Sequence, residues 1–459
     1  MYKLLLIWRY FRHKRIALVA VAAVALLVMM VVVVLSVLSG LLEETRARNH
    51  RWAGDVVISR DSLVGFPYYQ EFINELQSRK LAAEATPVIR TFGLEGEKLE
   101  SSVQIYGLRL AEFCRVTDFQ ETLYYQKAQP APDFNVPPNP RLEELGRGLS
   151  PEESRRGCII SIYQLVRRRS VLKELRQEWR PEQHRFYYLT VFALDASGTL
   201  AGTGTGEHQR FFYVDDSDSG LVDLDVNSFY LDFDELQKLL WMDGSDKGPK
   251  RTNEIRVRLP QGVELETGRQ AIASAWREFA AARAGAAARL LRDVKVETWQ
   301  SFRRGQIAPA EKEKSLMAVI FLMIGFVAAF IIFAIFYMIV VEKIRDLGIL
   351  KSVGAPRWGV GQIFIGFGIF VGVIGTILGT SAGVLIVTHS NEIEGRLGAW
   401  FDFKLWDPDV YAISRIPDTV DWSQVAAIAA VAIGVSVLGA IFPARRAARL
   451  QVVEALRVE

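Results

Sequence analysis

The residues that could do chemistry in this 459-residue chain are few and scattered. The five histidines, His13, His50, His184, His208 and His389, fall at no spacing that would bring two or three onto one metal. Cys114 and Cys158 allow a disulfide in an oxidising compartment, and two buried thiols are an equal reading. Residues 202–206, GTGTG, lack the Lys-Ser/Thr that completes a phosphate cradle and read as a turn. Asp215 and Gly220 stand at calcium-loop offsets, but Val226 occupies the position where a bidentate glutamate is needed. No metal site and no catalytic constellation is expected. No GxxxxGK[ST] occurs either, so the chain has no ATP-hydrolysing motif and no cofactor of its own is expected. The remaining chemistry is that of contact. It is concentrated in residues 342–357, EKIRDLGILKSVGAPR. As a helix this stretch places Ile344, Leu347 and Leu350 on one face, with Glu342, Lys343, Arg345 and Asp346 pointing elsewhere. Gly354 and Pro356 then stop it, because glycine accepts the left-handed conformation and proline cannot continue the ladder. The stretch is too charged for a bilayer and too short to fold alone. It is either an interfacial helix on lipid headgroups or a docking knob for a partner.

The elements that must hold this stretch are hydrophobic. Half of the residues are apolar, formal net charge is only +3 and mean hydropathy is +0.15. That balance excludes an ordinary soluble protein and a nucleic-acid binder. Four uncharged runs carry the hydrophobicity: residues 16–42, 315–341, 358–388 and 422–444. Each exceeds the roughly 20 residues needed to cross a hydrocarbon core. The first run is far longer than the roughly 7–15 apolar residues of a signal peptide, so it is expected to be retained. Lys and Arg cluster in residues 1–15, 342–357 and 445–459, which puts these segments in the cytoplasm and residues 43–314 and 389–421 outside. Residues 2–15 read as an interfacial elbow, with Trp8 and Tyr10 at headgroup level.

The expected fold is therefore an α-helical membrane protein with four transmembrane helices. A large α+β extracytoplasmic (periplasmic) domain is inserted between the first and second. Within that domain the pattern predicts strands over 55–59, 86–91, 103–108, 187–194, 210–214, 228–231 and 254–259. Helices are predicted over 68–79, 162–179, 233–241 and 267–291. The proline-rich residues 129–140 mark a linker or surface excursion. In the third span Gly375, Gly379 and Gly383 recur at every fourth position, a small-residue face suited to close helix packing.

These pieces resemble the FtsX-like ABC transporter permeases. Residues 342–357 resemble their coupling loop and 443–457, PARRAARLQVVEALR, their C-terminal signature. Within that superfamily the chain is similar to the LolC/LolE lipoprotein-releasing subunits, in residues 9–41, 311–354 and 409–422 and, more thinly, at 85–90, 103–109, 219–240 and 296–300. Residues 115–185 depart from the family pattern. The resemblance implies a non-catalytic subunit of a dimeric permease, multi-pass in a bacterial inner membrane. A separate cytoplasmic ABC ATPase would hold the ATP and magnesium, docking on Glu342, Lys343, Ile344, Leu347, Gly348, Leu350 and Gly354. It also implies a second permease subunit, a lipoprotein substrate and a periplasmic lipoprotein carrier as partners, with no nucleic acid. The FtsX-like permease core would cover about 315–457. MacB-type exporters and FtsX-type signalling subunits are the alternatives of the same layout.

A lipid anchor arriving from the outer leaflet needs an apolar cleft near the outward ends of the spans. Val33, Val37 and Leu41 share one helical face of the first span, and Met317, Phe321 and Ile324 one face of the second. These six residues are the expected lipoprotein cleft.

Overall fold

A computed structural model describes residues 15–96, 101–135, 156–165, 186–201, 206–244, 248–283, 285, 288–342, 344, 349, 351–352, 356–401, 406 and 415–449. In chain order its elements are α1 (Arg15–Ala53), β1 (Val56–Arg60), β2 (Phe66–Pro67), α2 (Tyr69–Ser78), β3 (Glu84–Glu95), β4 (Ser101–Leu108) and α3 (Leu110–Val116). There follow β5 (Gly157–Ser161), α4 (Ile162–Leu165), β6 (Phe186–Val191), β7 (Glu207–Ser217), α5 (Val222–Asp225), β8 (Ser228–Asp232) and α6 (Phe233–Leu239). The inserted part ends with β9 (Arg251–Thr252), β10 (Glu254–Arg258), α7 (Leu265–Ala282), α8 (Ala288–Arg292), β11 (Val294–Thr298) and α9 (Trp299–Phe302). The last four helices are α10 (Arg304–Glu342), α11 (Arg357–Thr388), α12 (Ser390–Phe401) and α13 (Trp422–Arg449). The chain forms two compact units, a membrane unit of Met1–Glu43, Ala308–Trp406 and Arg415–Glu459, and an inserted unit of Glu44–Ile307 with Asp407–Ser414.

The inserted unit is α+β. Nine strands pair in the order β11-β1-β10-β3-β4-β8-β5-β7-β6, and β6 also pairs with the far end of β3. Six strands, β3 to β6 through β4, β8, β5 and β7, thus close on themselves, which removes edges that would otherwise invite pairing. Gly93 sits at the closing seam opposite Val191, where an added Cβ would lie 2.7 Å from the Thr190 carbonyl oxygen. The period-two pleat sends alternate residues to two cores. Ile105, Cys158, Ile160, Phe229 and Leu231 join one, packed with Phe72 of α2, Phe233 of α6 and Trp276 of α7. Tyr106, Ile159 and Tyr230 join the other, with Phe113 of α3 and Trp52 from the end of α1.

The predicted strands are present: β3, β4, β7 and β8 run longer than expected, β1 is shifted by one residue, and β6 and β10 stop short, at Val191 and Arg258; β5, β11 and the two-residue β2 and β9 are additional. The single helix expected over 267–291 is two: α7 is capped at Arg283 and α8 begins at Ala288. An alanine-rich run with high helix propensity hides that break. Of the helix expected over 162–179, residues 162–165 are helical and the rest lies outside the described residues. The cysteines are free thiols, Cys158 in the first core and Cys114 against the second. Burial pushes both upward, Cys114 to about 12.

In the membrane unit four helices are long and apolar enough to cross a membrane: Leu18–Ala53, Arg304–Glu342, Trp358–Thr388 and Trp422–Arg449. Their buried core takes Val24, Val28 and Val32 from α1, Ile332 and Phe336 from α10, Phe367 and Val371 from α11, and Ala440 from α13. The segment after the third span, read from sequence as a loop, contains helix α12.

Candidate functional site

Three parts of the chain meet at the end of the bundle that carries the 342–357 stretch. Helix α10 covers Arg304–Glu342, and Pro356 precedes the first turn of α11, where its carbonyl accepts the Gly359 amide at 2.8 Å. Proline suits that place because its missing N–H is one the helix could not use. Helix α13 runs on past the apolar part of its span through residues 443–449. Its Pro443, Ala444 and Ala447 are buried while Arg445, Arg446 and Arg449 are exposed, so the extension is amphipathic.

The contacts there are specific. Lys351 Nζ donates to the Ala448 carbonyl at 2.8 Å. Arg446 donates to the Tyr337 hydroxyl, and its guanidinium lies 4.6 Å from the Tyr337 ring centroid. At the start of α11 a Cβ on Gly361 would sit 3.6 Å from the Ala448 Cβ. Of the predicted docking residues, Glu342 is exposed and Ile344 is half-buried. Lys343, Leu347, Gly348, Leu350 and Gly354 lie outside the described residues. Lys351, Arg446 and Tyr337 carry the observed contacts and were not singled out in the sequence. The Lys351–Ala448 pair spans 97 positions, which no periodicity signals.

The glycine face of α11 lies on α1. A Cβ at Gly375 would approach Val24 Cβ to 2.7 Å, one at Gly379 would meet the Ala25 carbonyl and Val28, and one at Gly383 would lie 3.0 Å from Val32 Cβ. Three further glycines do the same work elsewhere in the bundle. Gly368 and Gly372 of α11 pack on Ala440 and Ser436 of α13, and a Cβ added to Gly439 of α13 would lie 2.8 Å from the Ala329 carbonyl of α10. Small residues let helix backbones approach where lipid supplies no hydrophobic driving force.

The six expected cleft residues are placed unequally. Val33, Val37, Leu41, Met317 and Ile324 are half-buried, whereas Phe321 is buried at 8% exposure. None of them belongs to the buried bundle core. At the same ends Ser39 Oγ donates to Gln424 Oε1 at 2.8 Å, and Gly40 packs against Pro417.

In the inserted unit the polar groups are spent on architecture. Trp52 makes edge contacts with Tyr106, Phe113, Phe119 and Tyr230 at centroid distances of 5.2–5.7 Å. Arg303 Nε donates to Asn49 Oδ1 at 2.6 Å and its Nη2 pairs with Asp223 at 2.8 Å, which ties the chain entering the unit to the chain leaving it. Arg256 is fully buried, pairs with Glu254 at 2.6 Å and lies 4.6 Å from the Phe302 ring centroid. Burial lowers its pKa and Glu254 opposes that shift. Asp215 accepts the amides of Tyr125 and Gln126, both at 2.9 Å. Asp225 accepts Ser219 and Gly220 in the same way. The carboxylates of the candidate calcium loop are therefore committed, Asp225 to the loop's own turn and Asp215 to the 124–126 segment. Among the described residues no group of three or more His, Cys, Asp and Glu could hold a metal ion.

Residues 318–452 match the model of the FtsX-like permease C-terminal family. The lipoprotein-releasing system transmembrane protein LolC of Neisseria meningitidis serogroup B is 36% identical over 168 residues, 36% of this chain and 40% of that protein. LolE of Haemophilus influenzae is 29% identical over 147 residues, 31% of this chain and 34% of that one. The chain thus spans about two fifths of the length of the curated relatives it matches. Among solved structures, the periplasmic region of MacB from Actinobacillus actinomycetemcomitans covers 58% of this chain and 96% of its own at TM-score 0.31 and 11% identity. A superposition that loose carries no argument. Residues 318–452 thus match the FtsX-like permease C-terminal family, and over about a third of its length the chain is similar to LolC and LolE.

Proposed function

We propose that this chain is the transmembrane permease subunit of an ABC complex that releases lipoproteins from a bacterial inner membrane. The observation that carries the reading is the FtsX-like domain over 318–452, together with likeness to LolC and LolE in a chain whose inserted unit falls between its first and second membrane helices. The 342–357 stretch, with both termini, faces the cytoplasm and receives the ATPase. A second permease subunit completes the pathway, and the inserted unit faces the periplasm, where a carrier takes the cargo. A motor is needed because each buried methylene contributes about 0.8 kcal/mol, so a multiply acylated protein does not leave the bilayer unaided. Nucleotide-dependent contacts at the loop would bias a two-state bundle, since a ligand shifts an equilibrium only by its differential affinity for the two states.

Two experiments test the two halves of the reading. Leu347→Asp or Leu350→Asp is expected to leave the chain in the membrane but remove its ATPase, because an unpaired carboxylate buried at an interface costs several kcal/mol. Normal ATPase pull-down by both variants overturns the docking reading. For the cargo path, the burial of Phe321 makes a charge there a test of stability, so photocrosslinkers belong at the half-buried Val37 and Met317. They are expected to capture lipoprotein before ATP addition and lose it afterwards. Crosslinks confined to the chain's own helices place the cleft elsewhere.

A further inference from the structure

We propose that the extension of α13, residues 443–449, is a bracket that sets the pose of the 342–357 stretch, with Lys351 as its positioning residue. The inference rests on the docking role proposed for that stretch. It adds a third route by which a push at the loop reaches the bundle, directly into α13, besides the covalent routes through α10 and α11.

The physical case begins with the extension of α13. Lys351 of the loop donates its amine to the Ala448 carbonyl at 2.8 Å. A lysine amine on a carbonyl is a charge-assisted hydrogen bond, stronger than one between neutral groups. The extension is also held on two other sides. Arg446 grips Tyr337 of α10 through its hydroxyl and its ring face, a pairing that uses the planar guanidinium in two ways. Ala444 and Ala448 lie against Gly361 of α11, within van der Waals reach of a Cβ placed there. One short helical segment therefore touches the end of α10, the loop, and the start of α11. A loop this short has no core of its own, so its pose must come from such contacts.

The test uses the full chain in nanodiscs of phosphatidylethanolamine and phosphatidylglycerol. Hydrogen exchange is followed in peptides covering 342–357 and 443–449. Lys351→Met is expected to speed exchange in both by about tenfold, the equivalent of one charge-assisted hydrogen bond, with Lys351→Arg restoring protection. In parallel, the ATPase that co-purifies with the parent chain from native membranes is identified and its retention measured. Retention should fall about tenfold in Lys351→Met and recover in Lys351→Arg. Leu347→Asp should lose the ATPase while exchange in 443–449 stays as in the parent. Unchanged exchange in Lys351→Met overturns the bracket. Faster exchange with normal ATPase retention overturns its positioning role and leaves the docking reading standing. An ATPase retained by Leu347→Asp, or none on the parent chain, overturns the docking reading and the bracket's role together.

Discussion

At the scale of single residues, this chain uses its buried polar groups to hold turns and junctions. Asp215 is the sharpest case. Burial pushes its carboxyl up to about 7, with Asp216 adding to the rise and the amides of Tyr125, Gln126 and Asp216 opposing it. A carboxyl raised in the folded state binds more protons there than in the unfolded chain. Stability from this group is therefore greatest below the ordinary carboxylate range and is lost as pH climbs toward about 7. The unfolding midpoint of the inserted unit should accordingly fall between mildly acidic and neutral pH. Asp215→Asn, which keeps an acceptor for the amides, should flatten that slope. A parent protein that gains stability across the interval, or a variant with the parent's slope, contradicts the assignment. Cys158 has a related logic with a different outcome: burial raises its thiol, so it stays unreactive inside the inserted unit.

At the scale of elements, the bundle is organised by glycines on α11. That helix presents Gly375, Gly379 and Gly383 to α1 and Gly368 and Gly372 to α13; a methyl group would clash at all of them except Gly383, where it would fit only tightly. Gly379→Val should separate α1 from α11 and cost about 1–3 kcal/mol or more, since its Cβ meets backbone as well as Val28. Gly434→Val in α13, where nothing lies within 4 Å, is the matched control and should be tolerated. Thermal unfolding in detergent compares the two, and equal midpoints would remove the packing argument. In the inserted unit the corresponding joint is Trp52, which four aromatic rings surround at the end of α1. Arg303, between α9 and α10, closes the same joint.

At the scale of the whole molecule, the proposal makes a statement about sides. Gln261, in the turn after β10, and Ser352, in the loop, are both exposed and belong to different units. Cysteines at the two positions should respond oppositely to a membrane-impermeant thiol reagent added to intact spheroplasts, with Gln261→Cys labelled and Ser352→Cys protected. The reverse pattern would invert the topology and end the docking reading, because a cytoplasmic ATPase could not reach the loop. The orientation expected here comes from the Lys and Arg of the short segments, a preference that acts during insertion.

Much of this was legible in the chain itself because it depends on properties local to a stretch. Four uncharged runs are long enough to span hydrocarbon whatever they pack against, and alternating apolar residues such as those of Val103–Leu108 must form a pleated, half-buried strand. The small-residue face of α11 was equally plain as a spacing. Which helix would meet that face was not, since any of three partners satisfies the same periodicity, and tertiary packing chose α1. The same limit applies to the closure of β6 onto β3 and to the short β5 and β11, whose pairings join residues far apart in the chain. It applies most of all to Lys351. Among the basic residues of its loop it looked like one more topology signal, and only the folded bundle brought its amine to the Ala448 carbonyl of α13. Periodicity decides which face of an element is apolar; a contact between elements depends on which alternative buries the most surface with every polar group answered, and that is a property of the whole fold.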